Sequence, residues 1–125
     1  MTEIKKLYEI RVAVVGSRNF NDYDLLKSEL DAFKLENGVD LIVSGGAKGA
    51  DTFGEKWAKE NNVPTKIYYP DWKTYGKAAG ILRNKDIIDA ATHVIAFPSK
   101  KGRGTQNSIK RAKEQCIPTK VIWMD

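Results

Sequence analysis

The chain has 125 residues, 42% of them hydrophobic and 30% charged, with a net charge of +5 and a sequence pI of about 9.3. That is the composition of an ordinary soluble globular domain, long enough to bury a core without staples. The lone cysteine, Cys116, excludes an internal disulfide framework and a cysteine-rich metal site. The absence of a long apolar run argues against a transmembrane helix, and the N-terminal "MTEIKKLYEI" lacks a secretory leader's apolar core.

In chain order, "EIRVAVVG" alternates and then runs apolar, as a buried strand ending near Gly16 does. "NDYDLLKSELDAF" follows as a helix. Asn21 is the expected N-cap, and Leu26, Leu30 and Phe33 are spaced for one face. Gly38 ends that helical region, and "VDLIVSG" reads as the second strand. Ala50, Phe53, Gly54, Trp57 and Ala58 then share one side of a helix. "NNVP" is a turn, "TKIYYP" the third strand and "DWKTYG" a polar-aromatic loop. "KAAGILRNKDIIDAA" is a third helix, with Ala78, Ile81, Ile87, Ile88 and Ala91 on one arc. "THVIAFP" is the fourth strand and "SKKGRG" the loop after it. "TQNSIKRAKEQC" is a helix with Ile109, Ala112 and Cys116 on its apolar face, and "PTKVIWMD" is the last strand.

Strands alternating with helices predict a single α/β domain over residues 1–125: a Rossmann-like three-layer sandwich around a five-stranded parallel sheet, order 3-2-1-4-5. Ligands of such sheets bind outside the carboxyl ends of the strands, at the switch between strands one and four. The loops sharing that edge are "GSRNF", "SGGAKGAD", "PDWKTYGK" and "PSKKGRGT", which are also the chemically unusual ones. The opposite turns look like plain connectors.

The second of these loops invites a phosphate, yet two common fingerprints fail. A Walker loop from Gly45 would need Gly-Lys-Ser/Thr where Ala50, Asp51 and Thr52 stand. A dinucleotide loop needs three glycines after strand one, where only Gly16 stands, and an acid where strand two ends in Ser44. The physical attraction for an anion remains. Gly45, Gly46, Ala47 and Gly49 let backbone amides approach a ligand, a helix N-terminus follows, and Lys48 adds charge. Asp51 either caps those amides or is a carboxylate left for chemistry.

On the third helix, Asn84 falls inside the apolar arc, with Gly80, and Arg83 at its edge. Asn84 there must find partners, and ties loop backbone in the plainer reading. Arg83 suits bidentate recognition of phosphate, or pairs with Asp51 or Asp71. In "GRGT", Gly102 and Gly104 free the backbone, Thr105 caps or donates, and Arg103 and Lys100 add charge. Together with Gly16, Ser17 and Arg18, these loops predict an anionic-ligand site. Trp72 either stacks on a base, as does Tyr75, or packs its own loop. His93 is expected on the surface or in a turn away from that edge, Cys116 in the core, and Trp123 in the core or an interface. No His, Cys or carboxylate cluster has metal-ligand spacing, so no metal is expected. Residues 99–113 hold six basic and no acidic residues, a solvated face or a contact for nucleic acid.

The runs "VVGSRNF", "IVSGGAKGAD", "DWKTYGKAAGILRN" and "GRGT" together resemble the small SLOG-superfamily proteins of the YspA/YpsA-related type, over about residues 11–120. The resemblance implies a Rossmann-like domain that binds a nucleotide or nucleotide-derived ligand as a sensor or processing module, with no further cofactor required. It implies a ligand set that adds Lys77 to the residues above, and a homodimer or higher homo-oligomer. It implies a source in bacteria or their phages; with one cysteine, no leader pattern and no long apolar run, the expected setting is cytoplasmic, that of the host for a phage protein, with no membrane partner. More distant relatives are the LOG phosphoribohydrolases and DprA. Where the phosphoribohydrolases carry a catalytic glutamate, "GRGT" is followed by Ser108. Hydrolysis of an N-glycosidic bond usually calls on a carboxylate, so Asp51 and Arg83 are the catalytic candidates if there is an enzyme here. Three functions therefore compete: nucleotide binding first, then a small nucleotide hydrolase, then DprA-like nucleic-acid binding.

Overall fold

The computed structural model describes residues 9–124. The N-terminal stretch and the final residue of the expected fifth strand lie outside that range. The strands are β1 (Arg11–Gly16), β2 (Leu41–Ser44), β3 (Thr65–Ile67), β4 (His93–Phe97) and β5 (Thr119–Val121). The helices are α1 (Tyr23–Asn37), α2 (Ala50–Glu60), α3 (Trp72–Tyr75), α4 (Ala79–Ala90) and α5 (Arg103–Glu114), with a 3-10 turn at Gly76–Ala78 before α4. The sheet is parallel throughout, in the order β3-β2-β1-β4-β5.

The alternation within β1 sorts the two faces. Val12 and Val14 join Leu26, Leu30 and Trp57 of α1 and α2 in one core, while Ala13 and Val15 join Ile87, Ile88, Ile109 and Ala112 of α4 and α5 in the other. Each fully buried aliphatic or aromatic side chain of these cores contributes about 1.5–3 kcal/mol. The two helical layers exchange sides at the junction of β1 with β4, where Val14 pairs with Ile95. A crevice therefore opens above the ends of these two strands. Close approach at this point demands bare backbone: a side chain on Gly16 would come within 2.5 Å of the Ala50 Cβ.

Several local expectations change. Asp22, not Asn21, caps α1, because its carboxylate accepts from the Leu25 amide at 3.0 Å. The segment expected as a loop around Trp72 contains the single turn α3, because Asp71 accepts from the Thr74 amide at 3.1 Å and closes it. Ile81 is exposed, and so is Ala78. The apolar arc of α4 is covered by the sheet only along its second half, through Ile87 and Ile88. Cys116 is exposed rather than core, since α5 stops at Glu114 and Cys116 takes the left-handed turn that follows, with φ 59°. Trp123 lies past β5 and is exposed, not core. His93 is a strand residue, half-buried, its ring 5.2 Å from that of Phe33 and its Nδ1 2.9 Å from the Thr92 hydroxyl. Among the described residues, no helix is long and apolar enough to cross a membrane.

Candidate functional site

The chain leaves β1 through a tightly fastened turn. The Ser17 amide donates to the Phe97 carbonyl at 3.0 Å, the Ser17 carbonyl accepts from Phe20 at 3.2 Å and from Ala50 at 3.4 Å, and the Ser17 hydroxyl accepts from the Asn19 amide at 3.1 Å. Buried Ser17 thus holds the turn while Arg18 is exposed at the mouth of the crevice. Gly49 lies directly over the Ser17 carbonyl at φ 82°, a conformation and a contact that only glycine accepts.

The glycine turn after β2 spends its amides on the chain itself. The Asp51 Oδ2 accepts from the Gly45 amide at 3.1 Å and from the Ala47 amide at 3.4 Å. The Gly46 amide donates to the Ser44 hydroxyl at 3.2 Å, which in turn donates to Glu55 at 2.6 Å. Asp51 therefore reaches back to the turn, whereas Gly49, the N-cap of α2, offers no side-chain bond. Its side chain is buried, and that burial pushes the carboxyl up to about 6. The two amides and Arg83 act against the rise, and Glu55 adds to it.

Arg83 comes from the opposite layer. Its Nη1 donates to the Gly45 carbonyl at 2.5 Å and its Nε to the Asn84 Oδ1 at 3.1 Å. Asn84 passes this on, since its Nδ2 donates to the Gly104 carbonyl at 3.3 Å. One amide thereby ties α4 to the first turn of α5 and orients the guanidinium. Burial pulls Arg83 below the usual arginine value, Asp51 offsets this, and Arg18 lowers it further. The two arginines therefore feel one another in the same crevice.

The loop after β4 completes the enclosure. The Gly102 amide donates to the Ser99 hydroxyl at 3.1 Å, and Gln106 donates to the Ser99 carbonyl at 3.2 Å. Helix α5 then starts with Gly102 as an N-cap that offers no side-chain bond, and with no acid in its first turn. A helix N-terminus so arranged presents N–H groups and partial positive charge. Thr105 stands inside that first turn, buried, and is not the cap. The Ser108 hydroxyl donates to the Gly104 carbonyl at 3.4 Å.

These elements bound a cleft of about 380 Å³. Its lining brings together Gly16, Ser17, Arg18, Ala47, Asp51, Arg83, Asn84, Gly102, Arg103, Gly104 and Thr105. Among the described residues, its charged lining is Arg18, Arg83, Lys101 and Arg103 against the single carboxylate of Asp51. Gly45, Gly46, Gly49 and the exposed Lys48 are not part of the lining. Trp72, Lys77 and Gly80 are not part of it; they lie on α3, in the 3-10 turn and at the start of α4. Asn19 and Ser99 also line the cleft. Their signal was present in sequence, as polar residues of the loops that follow β1 and β4. No group of three or more His, Cys, Asp or Glu among the described residues is arranged to hold a metal ion.

Known proteins agree with this architecture. The chain is similar to the Gene 61 protein of Mycobacterium phage D29, 35% identical over 118 residues that cover 86% of this chain and 92% of the phage protein. Among solved structures it resembles DNA processing protein A (DprA) from Streptococcus pneumoniae, with a TM-score of 0.72 and 24% identity. It also resembles DNA processing protein A from Helicobacter pylori, with a TM-score of 0.69 and 22% identity, in a structure described for its single-stranded DNA binding mode. Each likeness covers 90% of this chain, which spans 50% of the first protein and 64% of the second. The model of the YspA, cpYpsA-related SLOG family matches residues 10–75, from the approach to β1 through α3, and the chain belongs to that family.

Proposed function

We propose that the cleft binds a nucleotide or nucleotide-derived phosphorylated ligand, its phosphate at the start of α5. The observation that carries this reading is the uncapped N-terminus of α5 facing a cleft with four cationic side chains and one carboxylate. Backbone amides and a helix end supply directed donors, and Arg83, held in place by Gly45 and Asn84, supplies a preset fork. The glycine turn after β2 serves as a wall that carries Asp51, since three of its amides are already engaged.

Calorimetry with inorganic phosphate, ribose 5-phosphate and nucleoside monophosphates tests this. A ligand at a hundred times its dissociation constant adds about 2.7 kcal/mol to stability, visible as a rise in melting temperature. Arg103→Ala, at an exposed position, is expected to weaken every phosphorylated ligand without lowering the melting temperature. Millimolar ligands that neither bind nor shift the melt defeat the proposal.

A second reading has its own support. The H. pylori neighbour is described as binding single-stranded DNA, and Lys101, Lys110 and Lys113 are exposed along α5 and its leading loop. Contacts with several strand phosphates would make affinity fall steeply with salt. A flat salt response excludes it. The hydrolase reading has less behind it, because Ser108 engages Gly104 where a catalytic acid would stand.

A further inference from the structure

Outside the lining of the cleft, the segment from Tyr69 to Tyr75 leaves three aromatic rings in the open. Tyr69, Trp72 and Tyr75 are 70%, 53% and 54% exposed. This exposure is built rather than loose. The Asp71 carboxylate caps the turn at Thr74, the Tyr75 amide closes it on the Asp71 carbonyl at 3.0 Å, and Gly76 ends it at φ 54°.

Two glycines seat the rings. A side chain on Gly46 would meet the Tyr69 ring at 2.6 Å, and one on Gly80 would touch the Trp72 indole at 3.5 Å. Both seats adjoin the cleft's arginine. Gly46 follows Gly45, whose carbonyl accepts from Arg83. Gly80 precedes Arg83 by three residues on α4, which places the two on one face, about 4.5 Å apart along the axis.

We infer that Trp72 is a stacking platform for the base of the ligand whose phosphate the cleft holds. The inference rests on the phosphate reading above and narrows it: the ligand is a nucleoside phosphate rather than a sugar phosphate or a bare anion. An aromatic face accepts every base, so discrimination among bases is expected to be weak.

The test compares ribose 5-phosphate with AMP, CMP, GMP and UMP by calorimetry on wild type, Trp72→Ala, Trp72→Phe and Trp123→Ala. Wild type is expected to bind at least one nucleotide roughly ten- to a hundredfold more tightly than ribose 5-phosphate, the gain typical of one base on one ring. Trp72→Ala removes most of that gain and leaves ribose 5-phosphate unchanged. Trp72→Phe keeps most of it, and Trp123→Ala, at an exposed tryptophan off this face, changes nothing. Equal binding of nucleotide and ribose 5-phosphate in wild type, or an equal loss of both in Trp72→Ala, overturns the platform and leaves the phosphate site standing. No binding of any phosphate overturns both. A short oligothymidylate separates the two sources of a base-bearing phosphate: tighter, salt-dependent binding than the mononucleotide identifies a strand, and Trp72→Ala is expected to weaken either.

Discussion

Replacing Asp51 by Asn removes the one carboxylate of the cleft lining while keeping an oxygen that can accept from Gly45 and Ala47. In the folded chain burial holds the carboxyl at about 6, against 3.8 for the free side chain. Between those two values the folded state keeps a proton that the unfolded chain has released. Stability from this group therefore declines as pH rises through that window and is fully lost above about 6. A displacement of about two units, at 1.36 kcal/mol per unit, amounts to about 3 kcal/mol. The assay is urea unfolding of wild type and Asp51→Asn at intervals from about pH 3.5 to 7.5. Other titrating groups, such as Asp31, Asp89 and His93, are common to both proteins and largely cancel in the difference. The stability of wild type minus that of the variant is expected to fall by about 3 kcal/mol across the range. Saturating phosphate would push the Asp51 titration higher, because a second negative charge enters the same cleft. A difference independent of pH, or one that rises with pH, would refute the reasoning, since Arg83 and the two amides would then outweigh burial.

Other substitutions probe the frame that carries the cleft. Gly49→Ala forces a side chain into a left-handed backbone against the Ser17 carbonyl, so urea unfolding should show a loss of about 2 kcal/mol or more. Gly104→Ala, where nothing lies within 4 Å of an added Cβ, is expected to be neutral or to gain up to about 1 kcal/mol in the same experiment. Asp31→Ala deprives fully buried Trp57 of its indole acceptor at 2.9 Å. A loss of about 1–3 kcal/mol is expected, with much of it recovered in Asp31→Asn, followed by tryptophan fluorescence during unfolding.

The sheet was legible because its signal is local. "EIRVAVVG" alternates and then runs apolar, and strands separated by helical stretches allow few parallel orders once crossovers are right-handed. The chemically unusual loops were equally legible as a group, since every strand-to-helix connection of a parallel sheet opens on one edge. Helix ends were less so. The carboxylates of Asp22 and Asp71 compete locally with their neighbours for a single amide, and only the folded backbone shows which wins. Ile81 carries the right period, but no neighbouring layer reaches it, and periodicity holds no information about where a layer stops.

By itself, then, the sequence determined the α/β sandwich, its strand order and the edge on which chemistry gathers, because hydrophobic period and loop position are properties of short segments. Only the tertiary structure decided what each loop does there. Asp51 folds back on Gly45 and Ala47, Arg83 reaches 38 residues to the Gly45 carbonyl, and Asn84 reaches 20 residues to Gly104. These bonds form because two helical layers meet over the ends of β1 and β4, and they turn a glycine run resembling a phosphate loop into a self-satisfied wall. The uncapped start of α5 is left facing the cleft.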